Sequence, residues 1–179
     1  HEWSMLFPEA KFSVAVNLSA QQFTSAKLPG IVKSLLDKYQ VKPAFLELEV
    51  TEGSMVNNPD FAIQMMEKLK EIGVKLSIDD FGTGFSSLAY LKRLPVDILK
   101  IDQSFIRDLL TDKNNASIVM AIISMSKALD LKTIAEGVEE EKEVAFLDKI
   151  NCDIFQGYFF AKPMPADSFS AFYKNNYKS

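Results

Sequence analysis

Lys75–Leu91 reads KLSIDDFGTGFSSLAYL, and this stretch decides the fold. In its first half apolar Leu76 and Ile78 alternate with Lys75, Ser77 and Asp79, the period of a strand with one face toward a core. The strand ends in two adjacent carboxylates, Asp79 and Asp80. A Gly82-Thr83-Gly84 turn follows, and Ser86 or Ser87 then caps a helix carrying Leu88, Tyr90 and Leu91. Two acids thus sit where a strand hands over to a helix through a glycine loop. In α/β proteins that is the end of the sheet where ligands bind. Solvated acids on a tight turn are the plainer account; Asp-Asp followed by a Gly-x-Gly turn tips the balance toward a site.

Outward from this stretch the same unit recurs. Strand-like segments are expected at Ser13–Ser19, Leu46–Glu52, Lys75–Phe81, Ile98–Asp102, Lys132–Val138 and Asp153–Phe160. Helix-like segments fall between them at Ile31–Tyr39, Phe61–Ile72, Ala116–Leu129 and Glu143–Ile150, with a scrap of helix or loop over His1–Ala10. Strands alternating with helices predict parallel βα units. No linker or low-complexity stretch divides the chain, so residues 1–179 are read as one domain. An eight-unit barrel needs about 250 residues. The six units here form either an open six-stranded sheet or a barrel lacking its first two units. The first residue is His1 rather than Met, which fits a sequence cut from something longer.

Composition excludes several classes. Lys plus Arg is 20 against 24 Asp plus Glu, a net charge of −4, so there is no electrostatic case for DNA or RNA as partner. Cys152 is the single cysteine, which rules out an internal disulfide and points to a reducing, cytoplasmic setting. The single histidine is His1, so no internal histidine serves as base or metal ligand. Ile118–Met125 is too short an apolar run to span a bilayer, and no secretory signal is visible.

Strand parity locates the site, because successive side chains point to opposite faces. One face collects Val14, Val16, Leu18, Leu46, Leu48, Val50, Leu76, Ile78, Leu99, Ile101, Thr133 and Ala135, and suits packing under helices. The other is loaded with polar groups, although buried parallel strands are normally apolar on both faces. Nearest the C-terminal ends stand Asn17, Glu49, Asp79, Lys100, Glu136 and Gln156. If the sheet curls, these converge at one mouth. Glu47 and Lys75 lie one layer deeper and are expected as members of a buried ion pair. Asn17 alone would pass as a capping residue, and Glu139 and Glu140 as an acidic helix start favoured by the macrodipole.

Asn, Glu and Asp without His or Cys make an all-oxygen site, the preference of Mg²⁺, Mn²⁺ or Ca²⁺. Asp79 and Asp80 can bridge two ions, and two metals suit phosphodiester hydrolysis. Lys100 then orders water or offsets phosphate charge, and Glu136 is the candidate general base. Metal-assisted proton abstraction next to a carboxylate, a lyase or racemase chemistry, fits the same residue types.

The motifs VNLSAQQF (Val16–Phe23), ELEVTE (Glu47–Glu52), DDFGTGFSSLAYL (Asp79–Leu91), LPVDILKIDQSFI (Leu94–Ile106), IAEGVE (Ile134–Glu139) and DIFQGYFFAKPMP (Asp153–Pro165) closely resemble the EAL family of cyclic di-GMP phosphodiesterases. The resemblance runs in unbroken order from Ser13 to Pro165. It implies a TIM-like (β/α)8 barrel with one antiparallel strand, and hydrolysis of cyclic di-GMP to linear pGpG with two Mg²⁺ or Mn²⁺ ions, Ca²⁺ being inhibitory. By motif position, Asn17, Glu49, Asp79 and Asp80 resemble metal ligands and Lys100 the lysine that orders water. Glu136 resembles the general base, or an acid that positions the nucleophile. Asp102, Glu139, Gln156 and Pro163 match substrate-side positions. Glu52 resembles the anchor of the loop Phe81–Ser87, whose Phe81, Gly82, Thr83, Gly84, Ser86 and Ser87 couple the metals to a homodimer interface in the family. Family members are commonly fused to sensory or diguanylate cyclase domains.

One departure is specific. The Glu-Ala-Leu motif that names the family is absent; the single Glu-Ala pair is Glu9-Ala10, followed by Lys11. In the family the motif lies on an earlier strand, where its Glu is a metal ligand and a following arginine holds substrate. The expectation is therefore a domain lacking about its first two βα units. A non-catalytic cyclic di-GMP receptor is the alternative to an enzyme.

Overall fold

The computed structural model describes residues 2–7, 12–55, 58–84 and 88–176. Six strands run in order: β1 (Val14–Leu18), β2 (Leu46–Thr51), β3 (Lys75–Phe81), β4 (Ile98–Ile101), β5 (Lys132–Glu136) and β6 (Ile154–Gln156). Each pairs in parallel with the next, giving one sheet ordered β1-β2-β3-β4-β5-β6. No antiparallel pair occurs among the described strands. Around the sheet lie α1 (Glu2–Leu6), α2 (Ala20–Phe23), α3 (Leu28–Tyr39), α4 (Pro59–Ile72), α5 (Leu88–Leu91), α6 (Gln103–Arg107), α7 (Lys113–Ala128), α8 (Glu141–Lys149) and α9 (Ala166–Asn176). Consecutive parallel strands with helical crossovers form a curled α/β half-barrel, the architecture expected of a barrel lacking two units.

The core lies between the sheet and its helices. Val50, Leu76, Ile78, Leu99, Ile101 and Ala135 on the apolar strand face are fully buried. They meet Met65, Met66 and Leu69 of α4 and Val119 and Ile123 of α7. Each such Val, Leu, Ile or Met side chain contributes roughly 1.5–3 kcal/mol of burial. Val14 and Val16 share this face yet are 40% and 44% exposed, because β1 is a sheet edge.

Helix starts fall earlier than apolar periodicity places them, since caps and polar first turns carry no hydrophobic signal. Asn58 accepts from the Phe61 amide ahead of α4, with Pro59 in its first turn. Asp112 caps α7 through the Asn114 amide, and Ser19 and Gln22 form a capping box on α2. Aspartates also brace the entries of the strands. Asp97 accepts from Lys70 Nζ at 2.6 and 2.8 Å and from the Leu76 amide at 2.9 Å. Asp153 accepts from the amide and hydroxyl of Thr133 at 2.8 and 2.9 Å.

Two expectations are corrected. β6 was expected over Asp153–Phe160 and ends at Gln156. Past Gln156 the chain turns against the loop after β5: Val138 donates to Gln156 O at 3.0 Å, and Phe159 donates to Val138 O at 3.0 Å. The aromatic run Tyr158–Phe160 mimics a strand by composition alone. Nor do Glu47 and Lys75, register partners on β2 and β3, form a direct ion pair. Ser13 Oγ stands between them, donating to Glu47 Oε2 and accepting from Lys75 Nζ, both at 3.4 Å, and Glu47 Oε1 has no hydrogen-bond partner.

Among the described residues no helix is long and apolar enough to cross a membrane. Ser86 and Ser87, expected to cap α5, and the Glu9-Ala10 pair lie outside the described residues.

Gly157 fixes the path out of β6, because a Cβ there would collide with the Val138 backbone, whereas nothing stands within 4 Å of a Cβ at Gly53. Gly157→Ala should therefore cost at least about 2 kcal/mol in urea denaturation, while Gly53→Ala stays within about 1 kcal/mol. Equal effects would show that the close approach of these two loops is not a constraint.

Candidate functional site

The polar face of the sheet assembles around Lys100. This side chain is 3% exposed, in the middle of β4. Its ammonium lies 2.7 Å from Glu49 Oε1, 2.9 Å from Asp79 Oδ1 and 2.7 Å from Glu136 Oε1. Three strands thus send one carboxylate each to a single cation. Burial alone would lower the Lys100 pKa, but hydrogen bonds to Glu136, Glu49 and Asp79 outweigh it and raise the value above the ordinary lysine range.

Asp79 and Asp80 are sequence neighbours, and strict alternation would send them to opposite faces. The register explains why they share a site. Ile78 pairs with Leu99 and Phe81 with Ile101, so β3 carries an extra residue where β4 has none. Asp80 adopts φ 55°, the left-handed region, and forms a β-bulge at the end of the strand. Its amide donates to Asp79 Oδ1 at 3.1 Å. Ligand oxygens of Asp79, Asp80 and Glu136 then lie within 4.8 Å of one another.

The acids perturb one another. Burial pushes the Asp80 carboxyl up, the charges of Asp79 and Asp102 and a shared hydrogen bond with Asp102 push it further, and Lys100 opposes them weakly. Glu136 is raised by burial, pulled down by Lys100 and raised again by Asp79 and Glu49, ending above its ordinary value.

The other expected residues are placed as follows. Asn17 is on β1, exposed, in register with Glu49. Gln156 ends β6 in register with Glu136. Asp102 caps α6 through the Ser104 amide at 2.9 Å and also takes the Ser104 hydroxyl. Glu139 is exposed after β5, and Pro163 lies in the loop after β6, where it borders a cavity with Gln156. Glu52 is buried; its Oε2 accepts from the Gly82 amide at 3.3 Å, and its Oε1 has no hydrogen-bond partner. Phe81 is buried at the end of β3, and Gly82 (φ 102°) turns the chain away. Thr83 returns its hydroxyl to Asp80 O at 2.9 Å, and Gly84 packs directly over the Glu52 carboxylate. Thus Glu52 and Thr83 fix the start of the loop that begins at Asp80.

Sequence reasoning missed Glu143. Buried on α8, its Oε2 accepts from the amides of Glu139 at 2.8 Å and Glu140 at 2.9 Å, pinning the loop that leads away from Glu136. The signal was available as a capping box, Glu140-x-x-Glu143, obscured by a glutamate in the cap position.

A parallel α/β half-barrel with an all-oxygen acidic cluster at its strand ends has the donor set of a cation-binding barrel protein. The chain belongs to the EAL domain family, whose family model matches residues 1–163. It is 46% identical over 162 residues to the cyclic di-GMP phosphodiesterase NbdA of Pseudomonas aeruginosa, covering 90% of this chain and 21% of that protein. It is 40% identical over 165 residues to the cyclic di-GMP phosphodiesterase PdeR of Escherichia coli, covering 92% of this chain and 25% of that protein. The chain therefore spans a fifth to a quarter of the length of these curated relatives. Among solved structures, the PaMucR phosphodiesterase in complex with c-di-GMP superposes with TM-score 0.87 at 45% identity, covering 90% of this chain and 65% of that one. The manganese/cyclic di-GMP complex of Klebsiella pneumoniae BlrP1 gives TM-score 0.80 at 29% identity, covering 89% of this chain and 41% of that one.

Lys100→Met leaves Glu49, Asp79 and Glu136 without their common counter-charge and should destabilise the fold by about 3–5 kcal/mol at pH 7 in denaturant titrations. The deficit should shrink on acidification as the carboxylates protonate. Asp80→Asn should do the reverse. Because folding raises the Asp80 pKa above 3.8, the folded chain carries no penalty below that pH and bears it fully above the raised value. In chelator, Asp80→Asn should therefore be more stable than wild type at pH 7 and equal to it near pH 3.

Proposed function

We propose that this chain forms the greater part of a cyclic di-GMP phosphodiesterase domain and that its site opens the cyclic dinucleotide to linear pGpG. The observation that carries the reading is the convergence of Asp79, Asp80 and Glu136 within 4.8 Å, beside a lysine that already gathers three acids. Relatives at 40–46% identity act on cyclic di-GMP, and solved neighbours bind it.

The donor set fits hard divalent cations. Every ligand atom is oxygen, and Glu49, Asp79, Asp80, Asp102 and Glu136 stand against the single ammonium of Lys100, an excess of negative charge that a divalent ion offsets. In this reading Asn17, Glu49, Asp79 and Asp80 hold two Mg²⁺ or Mn²⁺ ions. Bound there, such ions polarise the phosphate and make water a stronger nucleophile. Glu136, raised by burial, accepts the proton of the attacking water, and Lys100 holds that carboxylate and offsets phosphate charge. Asp102, Glu139, Gln156 and Pro163 line the substrate side.

Glu52 holds the loop that begins at Asp80, and through this loop contacts in a homodimer reach the acids. Residues 1–179 are one EAL-type unit, and the free edge of β1 is where the family barrel's further strands pair. The single Cys152, buried as a free thiol, and the substrate support a cytoplasmic setting in this reading, in which fused sensory or cyclase domains would supply regulation. A non-catalytic cyclic di-GMP receptor is the second reading, favoured by the exposure of Asn17 on a strand with one partner.

The test is hydrolysis of cyclic di-GMP by this chain in Mn²⁺ or Mg²⁺, read by chromatography. The expected result is pGpG, suppressed by Ca²⁺ and reduced at least about 100-fold in Glu136→Gln. Binding without turnover, both here and in a longer chain carrying the further strands, would select the receptor; neither binding nor turnover in the longer chain would overturn both readings.

A further inference from the structure

Residues 137–140 join the end of β5 at Glu136 to the start of α8, and each of them is held. Gly137 takes φ 74° and lies so close to α6 that a Cβ there would stand 2.6 Å from Gln103 Cβ. Val138 is fully buried. Its amide donates to Gln156 O at 3.0 Å, its carbonyl accepts from the Phe159 amide at 3.0 Å, and Gly157 lies against its backbone. The amides of Glu139 and Glu140 donate to Glu143 Oε2 at 2.8 and 2.9 Å. Glu140 O in turn accepts from the amides of Glu143 and Val144 at 3.1 and 3.2 Å, which opens α8.

The contacts of Gly137 and Val138 are steric or backbone to backbone; those of Glu139 and Glu140 depend on one carboxylate. Glu143 is 6% exposed. Taking a carboxylate out of water is costly unless hydrogen bonds replace the lost ones. The two amides do so, helped by the positive end of the α8 dipole. Glu139, Glu140 and Glu141 beside it add only repulsion. Glu136 does not need this support: β5 is paired on both sides, and Lys100 Nζ holds the Glu136 carboxylate at 2.7 Å. Past Glu136 the sheet no longer sets the path of the chain, so the loop sets the position of Glu139. Val138 links that loop to Gln156.

We propose that Glu143 is a positioning residue for substrate. It fixes the loop so that Glu139, and through Val138 also Gln156, keep a set spacing from Glu136, and it thereby sets affinity for the cyclic dinucleotide without entering the chemistry. It acts through the amides of Glu139 and Glu140, not on the reacting groups. The effect on affinity rests on the reading that Glu139 and Gln156 line the substrate side; the fixing of the loop does not.

The test uses the longer chain carrying the further strands, so that its outcome does not turn on them, and Ca²⁺, so that cyclic di-GMP binds without turnover. Glu143→Ala should weaken binding by about tenfold, the equivalent of one charge-assisted hydrogen bond. Amide exchange at Glu139 and Glu140 should quicken by at least about tenfold while β3 and β4 keep their rates. Glu143→Gln retains an oxygen that can accept from both amides, and it should recover most of both losses. With Mn²⁺, KM should rise in step with the dissociation constant and kcat stay within about twofold of wild type. Quickened exchange with unchanged affinity would overturn the proposal. So would a fall in kcat at constant KM, equal quickening of the loop, β3 and β4, or a Glu143→Gln chain that behaves like Glu143→Ala. If the wild type binds no cyclic di-GMP, the substrate-side reading falls, and the exchange rates alone then decide whether Glu143 fixes the loop.

Discussion

The ammonium of Lys100 is the constraint on which the rest of the site depends. Glu49, Asp79 and Glu136 come from three strands, and without a cation between them their mutual repulsion would resist a curled sheet. Lys100 is almost completely buried, so its own desolvation costs several kcal/mol, and only three short hydrogen bonds to carboxylates offset that. A buried cluster of this kind adds little net stability compared with an apolar replacement. What it fixes is geometry: the acids of three strands are held together at one end of the sheet, with their charge already gathered.

The second device is the bulge. Placing Asp80 at φ 55° is tolerable for an aspartate and costly for most other residues. The extra residue converts two neighbours in sequence into two neighbours in space, which alternation forbids. It also starts the loop that Glu52 and Thr83 fasten from below. The geometry of the Asp79–Asp80 pair and that of the loop therefore share one backbone irregularity, and a perturbation of the loop has a direct path to the Asp80 carboxylate.

Much of this was legible in the residues. Alternation in KLSIDDF and its counterparts marked the strands, and their parity separated the buried face from the polar one. It gathers Glu49, Asp79, Lys100 and Glu136 on one face. What escaped was whatever depends on a contact between distant segments. Ser13 between Glu47 and Lys75 is one case. Val138 cutting β6 short at Gln156 is another, because Tyr158–Phe160 has strand-like composition and nothing local announces the turn. The register shift at Asp80 is invisible in β3 alone, since it exists only against β4.

The site has a rigid centre and a soft flank. Asp79 and Lys100 stand on β3 and β4, each paired on both sides and backed by fully buried Ile78, Leu99 and Ile101. Asn17 stands on β1, paired on one side only and backed by half-exposed valines. Such an edge leaves its outward N–H and C=O groups to water. An edge of this kind opens more readily than the doubly paired centre of the sheet. A ligand that engages Asn17 must include that opening in its binding free energy, whereas one that engages only Asp79, Asp80 and Glu136 does not. On the proposed reading of Asn17 as a ligand, whatever covers the edge of β1 would tune binding at that residue while leaving the acidic centre unchanged.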